Sequence, residues 1–121
     1  MTSTQKKILV VDDEPDILAF LQELLEEEGY SVITTNKTDY INTLHNGALP
    51  HLILLDVFLS GSDGREIVKL LKSQKATQHI PVIMFSAHPK AEETALRAGA
   101  DGFVAKPFEM EELLARISSY L

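Results

Sequence analysis

Five short apolar runs, each followed by a stretch of helical periodicity, constrain this chain more than any other feature of its sequence. The runs are Ile8-Leu9-Val10-Val11, Ser31-Val32-Ile33-Thr34, Leu52-Ile53-Leu54-Leu55, Pro81-Val82-Ile83-Met84-Phe85 and Gly102-Phe103-Val104-Ala105. Most are continuously apolar rather than alternating, the mark of strands covered on both faces of a parallel sheet. The second run is more polar and suits an edge strand. Between the runs, Pro15 to Glu28 sets Ile17, Leu21, Leu24 and Leu25 at helical spacing, with Pro15 as a first helical residue and Gly29 as the stop. Asp39 to Asn46 carries Tyr40, Ile41 and Leu44, and Arg65 to Ser73 carries Ile67, Val68, Leu70 and Leu71. Ala91 to Ala98 ends at Gly99, and Glu109 to Tyr120 carries Leu113, Leu114 and Ile117. Strict alternation of this kind predicts a doubly wound (βα)5 three-layer α/β sandwich, with two helices on one face of a parallel five-stranded sheet and three on the other.

The 121 residues suffice for one domain that buries roughly two-thirds of its unfolded surface. With 45% hydrophobic residues the chain is too apolar to be disordered, yet no apolar run approaches the length of a membrane span. The polar start, Met1-Thr2-Ser3-Thr4-Gln5-Lys6-Lys7, is unlike a signal peptide, so the expected compartment is the cytoplasm. The absence of cysteine excludes disulfide scaffolds, thiolate metal sites and cysteine nucleophiles. Eighteen acids against eleven scattered bases, a net charge of −7, disfavour direct nucleic-acid binding, which needs clustered Lys and Arg.

In a doubly wound sheet, ligands sit beyond the carboxyl ends of the strands. Asp12 and Asp13 follow the first run, Asp56 ends the third, Ser86 the fourth, and Lys106-Pro107 follows the fifth. Acids before Pro15 could simply cap a helix, and a lone strand-end Asp, Ser or Lys is ordinary. Together, however, they place three carboxylates, a hydroxyl and one ammonium on a single rim. Clustered carboxylates repel one another unless a cation or a proton relieves them. Oxygen-only donors at a shallow site suit Mg2+ or Mn2+. Asp56, ending a wholly apolar run, is suited to accept a phosphoryl group as an acyl phosphate, with Lys106 neutralising a phosphoryl oxygen.

This constellation resembles the receiver domain of two-component response regulators. The matching stretches are Ile8-Leu9-Val10-Val11-Asp12-Asp13-Glu14-Pro15, Leu52-Ile53-Leu54-Leu55-Asp56, Asp63-Gly64, Pro81-Val82-Ile83-Met84-Phe85-Ser86-Ala87 and Gly99-Ala100-Asp101-Gly102-Phe103-Val104-Ala105-Lys106-Pro107-Phe108. The resemblance covers 7–121 and implies a flavodoxin-like fold of strand order 2-1-3-4-5, one receiver domain over 1–121 with 1–6 as an N-terminal tail. It implies Asp56 as phosphoacceptor, with Mg2+ or Mn2+ held by Asp13, by Asp56, by the backbone carbonyl of Phe58 and by Asp12 through water. Ser86 would contact the phosphoryl group, Lys106 would pair with it, and the Lys106–Pro107 peptide would be cis. Phe103 would turn inward when Ser86 moves. That motion would alter the face built from the fourth helical segment, the fifth strand and the fifth helical segment, including Ala95, Phe103, Glu112 and Arg116.

The implied partners are a sensor histidine kinase or histidine phosphotransfer protein as donor, and a downstream protein. The expected state is a monomer; a dimer through the same face is the alternative, since Asp101-Gly102 replaces the two acids some relatives use. The chain ends at Leu121 without an effector, as expected of a stand-alone receiver or a piece of a longer protein such as a hybrid kinase. Leu59-Ser60 stand where the family often has Met-Pro, which should loosen that loop, and Phe58 and His88 stand where the resemblance places the family's variable tuners of dephosphorylation. The domain would assist its own phosphorylation and slow dephosphorylation rather than turn over a substrate. An aspartate-nucleophile phosphatase of related fold would want a second Asp where Phe58 stands. A dinucleotide or flavin binder would want a glycine- or hydroxyl-rich loop in place of Asp12-Asp13-Glu14. A receiver-like module that is never phosphorylated is the remaining alternative.

Overall fold

Each apolar run forms a strand. The computed structural model describes residues 5–44, 49–59 and 61–121. In chain order they form β1 (Lys7–Val11), α1 (Pro15–Glu27), β2 (Ser31–Thr35), a 3-10 helix (Thr38–Thr43), β3 (Leu52–Asp56), β4 (Phe58–Leu59), β5 (Ser62–Asp63), α2 (Gly64–Ser73), β6 (Val82–Ser86), α3 (Ala91–Ala98), β7 (Gly102–Ala105) and α4 (Met110–Tyr120). Five strands make one parallel sheet, ordered β2-β1-β3-β6-β7, as the resemblance implies. The more polar run does lie at an edge, with Ile33 exposed.

Strand side chains alternate between the two faces, and here both faces are covered. Leu9, Val11, Ile53, Leu55, Val82, Met84 and Phe103 pack with Val68 and Leu71 of α2 and Ala91 and Ala95 of α3. Ile8, Val10, Leu52, Leu54, Ile83, Phe85 and Val104 pack with Leu21, Leu24 and Leu25 of α1 and Leu113 and Ile117 of α4. This is why the runs of the central strands read as continuous rather than alternating: their positions are buried against helices on one side or the other. None of the helices among the described residues is long and apolar enough to cross a membrane.

One expected element differs. Asp39 to Asn46 does not form an α-helix: Thr38–Thr43 is 3-10, ended by an Ile41 carbonyl accepting from the Leu44 N–H, and Leu44 is extended. His45 and Asn46 lie outside the described residues. Thr, Asp and Asn compete locally for backbone hydrogen bonds and weaken helices, and of this short segment the core takes in Ile41, with Tyr40 partly buried against it. The described α-helices therefore divide two and two, α1 and α4 against α2 and α3, with the 3-10 segment packing on the α2/α3 side. An antiparallel pair, β4 with β5, was not evident from sequence; it folds the chain back between Asp56 and α2.

Candidate functional site

Register brings the rim residues together. Val11 lies opposite Leu55, Asp56 opposite Phe85, and Ser86 opposite Ala105. The residues just beyond these pairs, Asp12 and Lys106, therefore meet Asp56 at one edge of the sheet. The pleat also sorts them: Asp56 and Lys106 share the parity of Phe85 and Val104 on the α1/α4 side, whereas Ser86 shares that of Met84 on the α2/α3 side. Asp12, Asp56 and Ser86 are all buried.

Lys106 is the hub. Its Nζ lies 3.1 Å from Asp12 Oδ2, 3.4 Å from Asp56 Oδ2 and 3.7 Å from Glu14 Oε1, and 4.8 Å from the centre of the Phe85 ring. Burial by itself would lower the Lys106 pKa, but the hydrogen bond to Asp12 and the charges of Asp56, Asp12 and Glu14 outweigh it, and the net direction is up. The ammonium is thus held charged. The second oxygen of Asp12, Oδ1, accepts the Glu14 N–H at 2.8 Å, so Asp12 both caps the turn before α1 and pairs with Lys106. Asp13 is half-buried beside it.

Asp56 has the most perturbed carboxylate of the described residues: its pKa rises from 3.8 to about 6. Burial is the main cause, and the nearby Asp12 charge adds to it; Lys106 and the Phe58 N–H oppose. One ammonium does not balance the carboxylates around it. Ser86 Oγ accepts the His88 N–H at 3.0 Å, closing the turn after β6. The Lys106–Pro107 peptide is cis, as the resemblance implies.

The loop behind Asp56 is tightly built. The Gly64 N–H donates to the Val57 carbonyl at 2.7 Å. A Cβ at Gly64 would collide with the Asp56 carbonyl oxygen and come within 2.9 Å of Met84 Cε. Only glycine lets α2 begin this close to the end of β3. Asp63 caps α2, accepting the Arg65 N–H at 2.9 Å.

Two features depart from expectation. Phe103 is buried in the α2/α3-side core, so the aromatic expected to swing inward is already there. Of the residues named for the output face, Ala95 is also buried because it fills the contact between α3 and the sheet; Glu112 and Arg116 are exposed. Asp12 is the more buried of the two adjacent acids, and it pairs with Lys106. Sequence reasoning missed Arg65, whose guanidinium joins the Phe58 loop to α3; a lone helix Arg gives no signal in sequence.

The response regulator receiver domain model matches residues 8–118. The phosphate regulon transcriptional regulatory protein PhoB of Klebsiella pneumoniae is 37% identical over 118 residues, covering 96% of this chain and 52% of that protein. The alkaline phosphatase synthesis transcriptional regulatory protein PhoP of Bacillus subtilis is 42% identical over 120 residues, covering 96% and 48%. The chain spans about half the length of these curated relatives. Among solved structures, the chemotaxis response regulator CheY4 of Vibrio cholerae matches with a TM-score of 0.86 at 28% identity, covering 98% of this chain and 100% of that one.

Proposed function

The chain belongs to the response regulator receiver domain family, whose role in two-component signalling is phosphorylation on an aspartate, and we propose that Asp56 is the acceptor here. The observation that carries this reading is a buried carboxylate at the end of a central strand, its pKa raised to about 6 and its oxygen 3.4 Å from the Lys106 ammonium. A carboxylate of that basicity is still about nine-tenths ionised at pH 7, and is more nucleophilic than an ordinary one. Receiver domains take phosphoryl groups from histidine kinases; the donor proposed for this chain is a sensor histidine kinase or a histidine phosphotransfer protein. An Asp56 oxygen bonds to phosphorus, the phosphorus–nitrogen bond of phosphohistidine breaks, and its electron pair returns to the imidazole. Lys106, already charged and desolvated, is suited to pair with a phosphoryl oxygen as Asp56 gives up its negative charge. The Ser86 hydroxyl accepts from His88 and keeps its own proton to donate to that group.

Receiver domains bind Mg2+ in the active site, and the residues of this cleft fit such an ion in their chemistry. The donors are all oxygen, Asp56 is crowded by Asp12, and a single ammonium faces them. Mg2+ keeps several waters and needs only one or two protein carboxylates. Asp13, Asp56, the Phe58 carbonyl and, through water, Asp12 are the proposed ligands of Mg2+ or Mn2+. Such an ion supplies positive charge against the phosphoryl oxygens.

The whole chain, 1–121, is proposed as one receiver domain, monomeric and cytoplasmic. It signals to a downstream protein through α3, β7 and α4. Phe103, buried already, serves there as a packing element whose room depends on Ser86. Phe58, where a phosphatase would want its general acid, argues against turnover. Incubation with Mg2+ and acetyl phosphate followed by intact mass measurement tests the reading: the parent gains one phosphoryl group and Asp56→Asn gains none. Full labelling of Asp56→Asn would overturn it, and multiple-turnover phosphate release would favour the phosphatase.

A further inference from the structure

Lys106 reaches Asp56 only by crossing a strand. In the order β3-β6-β7 the two residues stand two strands apart, roughly 10 Å at ordinary strand spacing, with β6 between them. The ladder carries on past β7, where the Lys106 N–H donates to the Ser86 carbonyl at 2.9 Å. Phe85 lies opposite Asp56 on one flank and Val104 on the other, so it is the β6 residue that shares the face of Asp56 and Lys106. The Lys106 stem must pass over Phe85 to bring Nζ within 3.4 Å of Asp56 Oδ2. It does so: Nζ lies over the ring, 4.8 Å from its centre.

The ring itself is held firmly. Phe85 is buried, and Phe108, two residues after Lys106, meets it edge-on with ring centres 6.3 Å apart. Phe108 packs in turn against Phe20 of α1, with ring centres 6.5 Å apart. A cation over a ring face is attracted by the ring quadrupole, most strongly where water is excluded, and the Lys106 side chain is only 13% exposed. An aliphatic side chain in the same place would offer a desolvated ammonium nothing in return. The other partners of Nζ are the carboxylates of Asp12, Asp56 and Glu14. The pull of Asp56 changes when that carboxylate reacts; the pull of the ring does not.

We propose that Phe85 is a positioning residue: its ring face holds the Lys106 ammonium across β6, in place to meet a phosphoryl oxygen as Asp56 is phosphorylated. This rests on the reading of Asp56 as acceptor. With acetyl phosphate as donor, an Asp56 oxygen bonds to phosphorus, the bond from phosphorus to the acetyl oxygen breaks, and its electron pair leaves with acetate. Asp56 loses its own charge in that step, and the ring keeps the ammonium in register through it.

The test follows the rate of labelling by acetyl phosphate and Mg2+ through intact mass. Phe85→Leu is expected to slow labelling about three- to tenfold, the scale of a partly desolvated cation–π contact. Mono-, di- and trifluorinated phenylalanine at position 85 keep the bulk of the core while draining charge from the ring face. They should slow labelling in that order, the trifluorinated ring approaching Phe85→Leu. Ile83→Val trims the same strand and face two residues earlier and should label at the parent rate. In the unphosphorylated parent, NMR should place the Lys106 ε-methylene protons upfield of those of the other lysines, because they lie in the shielding cone of the ring, and Phe85→Leu should return them to the common position. Rates indifferent to fluorination, an Ile83→Val slowed as far as Phe85→Leu, or the absence of the upfield shift in the parent would each overturn the inference. A parent that takes no label at Asp56 would overturn the acceptor reading, and the inference with it.

Discussion

Replacing Asp56 by Asn should make the protein more stable at neutral pH, and the gain should fade in acid. In the unfolded chain this carboxyl ionises near 3.8, in the folded protein near 6. The folded state holds the proton more tightly, so folding favours the neutral form. That contribution is complete below about pH 4 and is lost as pH rises through 6. At pH 7.5 the parent carries the buried ionised carboxylate at a cost of ~3 kcal/mol, taking about 1.4 kcal/mol per pKa unit. Asn keeps the shape and has no proton to lose. At this chain length the full relief corresponds to a rise in Tm on the order of 10 °C, an upper value because the amide makes poorer contact with Lys106 than the carboxylate does. At pH 4.5 only about a third of the cost has developed, so the difference between variant and parent should shrink by roughly two-thirds. Thermal unfolding of both proteins in EDTA between pH 4.5 and 7.5 measures this, the other titrating groups cancelling in the difference. An Asn variant no more stable than the parent at pH 7.5, or a gap that does not change with pH, would refute the reasoning.

Gly64→Ala forces its methyl against the Asp56 carbonyl, and should cost ~1–3 kcal/mol and slow acetyl phosphate labelling more than Ala at exposed Arg116 does; an unchanged unfolding midpoint in urea would show that the loop gives way freely. Millimolar Mg2+ should raise the melting temperature of the parent by binding only the native state, and Asp13→Ala should lose most of that gain; an equal gain in both would place the ion elsewhere.

The layers were legible because the core obeys a simple rule: runs such as Leu52 to Leu55 and Val82 to Phe85 are apolar at every position, and only a sheet covered on both faces needs that; the strand order came with the family resemblance. The rim was legible because Asp56 and Lys106 interrupt such runs where strands end. The 3-10 segment at Thr38–Thr43 was not, since Tyr40, Ile41 and Leu44 have helical spacing and the competition from Thr, Asp and Asn is a matter of small energies. Nor was the Arg65–Thr94 hydrogen bond, which depends on where α3 sets Thr94, or the burial of Phe103 in the core on the α2/α3 side.

The parity of the pleat gives the sheet an unusual fragility and an unusual economy. Asp56 and Lys106 fall on one side of the sheet, Ser86 and Phe103 on the other, through nothing more than odd and even positions along β3, β6 and β7. A single-residue deletion inside β6 would exchange the roles of Phe85 and Ser86 at once, removing the ring beneath Lys106 and the hydroxyl beside α3. Substitutions, by contrast, can be made on one side without disturbing the other. Lineages of this fold can thus vary one side of the sheet while the other stays fixed, provided that changes arrive as replacements and lengths vary only in the loops.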